Sequence, residues 1–209
     1  LGLETIDIYY LHNPETQLAV IDRKEFLSRI RAAFELLERK AGEGKIGVYG
    51  TATWNGYRAE MTDRGWLSLS ELLQAANEVG GENHHFRAIQ LPYNLAMPEA
   101  VTRPNQSVSN SKATALAAAH AMGLSVFASA SLLQGQLARN VPSIVADAFE
   151  GLGSDAQRSV QFVRSTPGVD VALVGMRSVD HVRDILAAAS KPPATREQLM
   201  KLFQHGDAR

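Results

Sequence analysis

Three polar residues stand within or beside apolar runs, and their types suit ligand chemistry. His12 follows Ile6-Asp7-Ile8-Tyr9-Tyr10-Leu11. A neutral imidazole at such a strand end can donate a hydrogen bond to a substrate oxygen or shuttle a proton, or be satisfied locally with no further role. Gln90 lies within an apolar strand-like run, where its amide can serve a bound carboxamide or a structural hydrogen bond. Arg177-Ser178 directly follow Val171-Ala172-Leu173-Val174-Gly175 and directly precede a helical pattern. Free amides at a helix start favour an anion, and a guanidinium adds a bidentate clamp for phosphate. The plainer alternative makes Ser178 an N-cap and leaves Arg177 solvated.

Other combinations carry less. Gly151-Leu152-Gly153-Ser154-Asp155 lacks the third spaced glycine of a dinucleotide fingerprint and follows no strand, so it reads as a helix-entry loop. Glu82, His84 and His85 have no companion ligand, and adjacent histidines diverge on a strand, so no metal site is expected. Trp54, Tyr57 and Trp66 can wall a substrate pocket or pack a loop. No Ser/His/Asp set or carboxylate pair can be extracted from spacing.

These residues need elements to hold them. Ile6 to Leu11 reads as a buried strand ending at Asn13-Pro14. Asp22 can cap a helix whose Phe26, Ile30, Ala33, Phe34 and Leu37 share one face, with Gly42 and Gly44 as its stop. The pattern then repeats. Strands are expected at Ile46–Thr53, Phe86–Leu95, Leu124–Leu132 and Val169–Val174. Helices are expected at Ser70–Val79, Ser111–Met122, Asp155 (as cap) to Ser165, Val179–Ala189, and Thr195 (as cap) to Phe203. Five strand–helix units in succession mean parallel strands joined by crossovers. They fit an open doubly wound sheet or a β/α barrel lacking three units. Ligands gather at the carboxyl ends of the strands in both, which places His12, Gln90 and Arg177 on one rim.

Composition bounds the partners. The 209 residues carry a formal charge of −1 and no cysteine. Disulfide scaffolds, thiolate metal sites and cysteine nucleophiles are excluded. No basic footprint for nucleic acid is present. Residues 113–138 contain no Asp, Glu, Lys or Arg, but polar positions and Gly123 divide them into helix, stop and strand rather than a membrane span. A cytoplasmic setting fits the absence of cysteine and of a signal peptide.

The ordered motifs resemble the aldo-keto reductase family over about residues 3 to 190. They are Leu3-Glu4-Thr5-Ile6-Asp7-Ile8-Tyr9-Tyr10-Leu11-His12, then Ala32 to Trp54 with Gly44-Lys45-Ile46, then Ile89-Gln90 with Tyr93-Asn94. Leu132-Leu133-Gln134-Gly135-Gln136-Leu137 and Val174-Gly175-Met176-Arg177-Ser178 follow. The resemblance implies an α/β fold, a partial TIM (β/α)8 barrel made of strands four to eight. It implies a single domain over 1–209, truncated at its N-terminus, whose missing barrel segment would be a partner. It also implies hydride transfer from NADPH to a small carbonyl substrate, with His12 as the catalytic histidine that orients the carbonyl.

The family's tyrosine, lysine and aspartate belong to a part of its chain that has no match here, so the isolated chain is expected to be inactive. The alternative is a non-catalytic dinucleotide-binding module acting as a sensor or regulator; a phosphosugar enzyme is a third reading. The implied NADP(H) contacts are Thr53, Gln90, Ser129, Leu132, Gly175, Arg177 and His181. Several depart from the family pattern. Ala52-Thr53 stand for its Ser-Asn pair, Ser129 for the aromatic that stacks on nicotinamide, Ala130 for the serine after it, His181 for a glutamine, and Asp184-Ile185 for a Glu-Asn pair.

Overall fold

The computed structural model describes residues 2–203. Strand β1 (Ile6–His12) leads through a 3-10 turn at Pro14–Ala19 into α1 (Arg23–Gly42). Asp22 caps α1 by accepting the Glu25 N–H at 2.8 Å, and Gly44 (φ +70°) makes the left-handed exit. Then come β2 (Ile46–Ala52), α2 (Leu69–Gly80) and β3 (Phe86–Pro92). A short α3 (Glu99–Thr102), a hairpin of β4 (Gln106–Val108) and β5 (Ser111–Ala113), and α4 (Ala115–Ala121) follow. The remainder is β6 (Ser125–Ser129), a 3-10 segment at Leu133–Ala138, α5 (Ser143–Ala148), α6 (Asp155–Ser165), β7 (Val171–Ala172), α7 (Val179–Ala189) and α8 (Arg196–Phe203). No helix among the described residues is long and apolar enough to cross a membrane.

The chain divides into two compact units. The first runs up to Leu91 and includes Glu99–Val126; the second combines Pro92–Pro98 with the chain from Phe127 onward. In the first, β1 pairs parallel with β2, and β2 with β3. Gly50 permits the register shift there, because a Cβ would lie 2.0 Å from the Ala88 carbonyl oxygen. The apolar face of α1 (Phe26, Ile30, Phe34, Leu37) is fully covered. Phe34 packs on Tyr49 and Phe86 at ring separations of 4.9 and 5.2 Å. Each such buried side chain stabilises the unit by about 1.5–3 kcal/mol. Strand β1 differs from β3: it leaves Ile6 and Tyr9 exposed, whereas β3 is largely buried.

In the second unit β6 pairs parallel with β7 through Phe127 and Ala128. Phe162 of α6 stacks on Tyr93 at 5.3 Å and meets Phe203 of α8 at 6.2 Å.

Several boundaries differ from the sequence expectation for physical reasons. The helix expected over Ser111–Met122 begins only at Ala115, capped by Thr114. Its first residues form β5 instead, closing a hairpin through Ser109 and Asn110, both at positive φ. Two central left-handed residues are the signature of a two-residue hairpin turn, with asparagine favoured there. The strand expected to reach Leu95 stops at Pro92, and the one expected over Val169–Val174 pairs only at Val171–Ala172. The cap of α6 is Ser154, which accepts the Gln157 N–H at 3.1 Å, and Asp155 is the first helical residue.

Candidate functional site

The carboxyl ends of β1, β2 and β3 form one rung in the first unit. His12 lies opposite Ala52, and Ala52 opposite Gln90. The Asn13 N–H donates to the Ala52 carbonyl at 2.6 Å and the Thr53 N–H to the Gln90 carbonyl at 3.0 Å. His12 is exposed and Gln90 half-buried. Both side chains are free of hydrogen-bond partners among the described residues. Thr53 is different. Its buried hydroxyl donates to the Glu15 carboxylate and accepts the Gly56 N–H at 2.7 Å. A donor so engaged is not available to a ligand.

Glu15 was not singled out by sequence. It is 7% exposed and joins the turn after β1 to the loop after β2, also accepting the Asn55 N–H at 3.5 Å. The Asn13 side chain supports the same junction, accepting the Trp54 N–H at 2.9 Å while its own backbone is left-handed (φ 46°). Only the acidic residue in the turn after Asn13-Pro14 pointed there, and its role depends on β1 lying beside β2. Gly56 is required at its place because a Cβ would lie 2.6 Å from Leu67 and 2.9 Å from the Thr53 hydroxyl oxygen.

A cavity of about 700 Å³ opens beyond this rung, walled by Asn13, Glu15, Trp54, Asn55, Arg58 and Arg64 among others. Of the three aromatics after β2, Trp54 faces it. Tyr57 is wholly buried, sharing a hydrogen bond with Thr51, and Trp66 donates to the Asn105 carbonyl at 2.9 Å. Arg58 chelates Glu99 at 2.8 and 3.1 Å. Burial pushes the Glu99 carboxyl up, but Arg58 and, less, Arg103 outweigh it and hold it below the ordinary range.

Four tyrosines of the chain resist ionisation. Burial raises Tyr10 to about 12 and raises Tyr49, Tyr57 and Tyr93 further. The Glu38 carboxylate beside Tyr49 adds to its shift. None of the four is tuned toward proton transfer near neutrality.

The second unit holds the other expected residues. A cavity of about 590 Å³ is lined by Leu132, Gly175, Arg177 and His181, with Ser131 and Ile185 alongside. Ser129 lies at the end of β6, half-buried, and its carbonyl accepts the Tyr93 N–H at 3.1 Å. Ser178 caps α7 by accepting the His181 N–H at 3.2 Å, and the His181 ring Nδ1 accepts the Arg177 N–H at 3.4 Å. The exposed Arg177 guanidinium meets no carboxylate among the described residues. Asp184 also lines the cavity, but its oxygens accept from the Ser154 hydroxyl and the Gln157 amide, each at 2.7 Å. The 3-10 segment beside it carries left-handed residues at Leu133, Gln134 and Gly135. The Leu133, Gly135 and Leu137 N–H groups of that segment donate to the Ala130 and Leu132 carbonyls at 2.7, 2.8 and 3.1 Å.

No group of three or more potential metal ligands occurs among the described residues. His85 is engaged by Glu38 at 2.7 Å and His84 lies 3.0 Å from the Arg87 guanidinium.

No protein-family profile and no curated protein matches the chain. Solved structures do. An aldo/keto reductase from Klebsiella pneumoniae, in complex with NADP and acetate, is similar at 23% identity and a TM-score of 0.63, covering 96% of this chain and 59% of its own. The holo form of an aldo-keto reductase from Bacillus halodurans is similar at 16% identity and a TM-score of 0.62, covering 96% and 61%. A thermostable aldo-keto reductase bound to the inhibitor epalrestat is similar at 15% identity, with a TM-score of 0.63 and coverage of 96% and 60%. The chain therefore has the α/β fold of these reductases over nearly its whole length, and spans about three-fifths of theirs.

Proposed function

We propose, from the reductase fold this chain shares, that it forms strands four to eight of a (β/α)8 barrel, one domain of an NADP-dependent carbonyl reductase. The observation that carries the reading is the placement of its polar residues. His12 and Gln90 share one rung at strand carboxyl ends, and Arg177 faces a cavity at the start of α7 without a counter-ion among the described residues. The Klebsiella relative binds NADP, and the unpaired guanidinium at a helix start is the kind of group its phosphates require.

When bound, NADPH would supply the hydride that adds to the carbonyl carbon. His12 donates a hydrogen bond to the carbonyl oxygen and orients it, stabilising the charge that grows there as the hydride arrives. Gln90 holds the carboxamide of the nicotinamide through its free amide. Arg177 and the N-terminal amides of α7 hold the phosphate of the adenosine end. Leu132, Gly175 and His181 would complete that wall, and Ser129 takes the sequence position of the family's stacking aromatic.

The alkoxide must still receive a proton. His12 is assigned the orienting role, and Tyr49, Tyr57 and Tyr93 are fully buried and hydrogen-bonded to Glu38, Thr51 and Thr166. No described residue is assigned as the acid here, and the chain as given is expected to bind the coenzyme without turning over. Strand β1 pairs with β2 on one side and leaves Ile6 and Tyr9 exposed, an edge of the kind that invites strand pairing.

A non-catalytic dinucleotide-binding role is favoured by one observation, the engagement of the Thr53 hydroxyl by Glu15, which removes a donor from the nicotinamide end.

Fluorescence titration of the chain with NADPH tests the proposal. Saturable binding, weaker for NADH and not displaced by sugar phosphates, is expected. Absence of NADPH binding, or displacement by a simple sugar phosphate at equal concentration, overturns it.

A further inference from the structure

The cavity after β2 is lined by acidic residues and by arginines, and the pairing among them decides which charge it presents. Arg58 is taken by Glu99 at 2.8 Å and Arg103 by Glu60 at 3.0 Å. Asp63 accepts the Glu60 N–H at 3.0 Å and meets no cation among the described residues, and Arg64 makes only a long 3.5 Å contact to the Ile21 carbonyl. Both are exposed and opposite in sign, so water screens each and they offset one another. Glu15 is left over.

Its charge is of a different kind. Glu15 is 7% exposed, and one carboxylate oxygen accepts from the Thr53 hydroxyl and, at 3.5 Å, from the Asn55 N–H. The other oxygen, Oε2, is buried with no hydrogen-bond partner among the described residues. Buried polar atoms in folded proteins are nearly always partnered, so this one calls for a donor. A buried charge is also felt more strongly. At an effective dielectric of about 20 its Coulomb attraction is about four times that in bulk water. The charge left to act on the cavity is therefore negative. Trp54 lines the same cavity, half-exposed, and is held by its backbone: its N–H donates to the Asn13 side chain at 2.9 Å and its carbonyl accepts from Arg58 at 3.2 Å. An indole face is the best aromatic partner for a cation. The loop that carries it is fixed as well. Asn105 donates to the carbonyls of Tyr57 and Ala59 at 2.9 and 2.8 Å, and the Leu67 N–H closes on Gly56 at 2.9 Å.

We infer that this cavity binds an aliphatic ammonium group, with the Glu15 carboxylate supplying the attraction and the Trp54 ring the surface on which the cation rests. The ammonium acts on Glu15 through its field, and an N–H that reaches Oε2 supplies the donor this oxygen lacks. The binding event stands apart from the reductase reading. The inference rests on that reading only where it makes the ammonium compound a carbonyl substrate, with its amine away from the reacting carbon.

The test therefore reads binding. The chain has two tryptophans, and Trp54 is the one in the cavity, so its fluorescence is the signal. Butylammonium, butan-1-ol and butanoate share a chain length and differ in charge. Butylammonium is expected to bind about tenfold more tightly than butan-1-ol, and butanoate more weakly than either. Added KCl is expected to weaken butylammonium and to leave the alcohol unchanged. E15Q keeps an acceptor for the Thr53 hydroxyl and removes the charge, and is expected to bring butylammonium within about twofold of butan-1-ol. W54F removes the signal. Thermal melting checks that both variants fold, and the order of the three ligands on the unsubstituted chain decides the matter without them. Equal affinity for ammonium and alcohol, tighter binding of butanoate, an unchanged preference in folded E15Q, a signal that survives W54F, or no saturable change overturns the inference. Ammonium binding without NADPH binding would refute the reductase and leave this site standing. The reverse outcome would refute this site alone.

Discussion

At the end of β2, the Thr53 hydroxyl lies between the Glu15 carboxylate and the Gly56 N–H, all inside the first unit. At the start of α7, in the second unit, the Arg177 guanidinium faces a cavity and no carboxylate among the described residues. Both sites follow strand carboxyl ends, yet their polar groups serve opposite purposes. The first rim uses its side chains to join two loops, leaving His12 and Gln90 as its free groups. The second leaves its cation open and turns Asp184 away toward Ser154 and Gln157. A buried polar network satisfied from within stabilises the fold, whereas an exposed donor is hydrated and can exchange that water for a ligand. The difference teaches that the first rim is closed by its own polar network, while the second keeps a cation open beside a helix start.

The largest expected effect is on turnover. With aldehydes and NADPH, the chain is predicted to oxidise the coenzyme at least about 10²–10⁴-fold more slowly than whole reductases, the contribution of a positioned acid. Absorbance of NADPH over time reads this directly, and a rate near that of a whole enzyme would erase the contrast between the rims.

Next in size is E15A. It strips the Thr53 hydroxyl and the Asn55 N–H of a buried charged acceptor, at an expected cost of about 1.5–3 kcal/mol in denaturant unfolding. The same variant is expected to leave affinity for 2′-phosphorylated adenosine unchanged, since that site lies in the other unit. A loss within about 0.5 kcal/mol would place Glu15 among ordinary surface residues.

R177A sharpens the comparison from the opposite side. It is predicted to weaken NADPH about tenfold, to leave NADH unchanged, and to shift unfolding by no more than about 0.5 kcal/mol. Calorimetric titration of both coenzymes separates these outcomes.

The smallest effect is acid sensitivity of the first unit. Burial and then the Arg87 guanidinium hold His84 below its ordinary value of 6.5. The folded state thus favours the neutral ring. Its contribution is complete above 6.5 and is lost as pH falls below that value toward the folded pKa. Melting temperature should drop modestly on acidification through this window, and H84Q should flatten the drop; an identical slope in both proteins would remove His84 as its source.

Much of this was legible in the residues. The α1 stripe of Phe26, Ile30, Phe34 and Leu37, with its Asp22 cap and glycine stop, is strong local periodicity and appears as expected. The bounds of α7 are likewise those its pattern implies. The β4–β5 hairpin was not seen, because an alanine-rich run outweighed the Ser109-Asn110 turn that breaks it. The short pairing of β7 was not visible either, since Val169–Val174 is uniformly apolar and nothing local limits the ladder to two residues. As candidates, His12, Gln90 and Arg177 stand out in the sequence because each interrupts or ends an apolar run. Glu15 was missed because its meaning lies in what surrounds it: it is buried where the loop after β2 meets the turn after β1.

The central claim is that the rim around Leu132, Gly175, Arg177 and His181 receives the phosphate end of a dinucleotide. Hydrogen exchange with and without NADPH tests it most directly. The account predicts slowed exchange at backbone amides of residues 132–137 and 175–181, with R177A reducing the protection. Protection confined to the cavity beside Trp54, or none in either unit at saturating coenzyme, would contradict it.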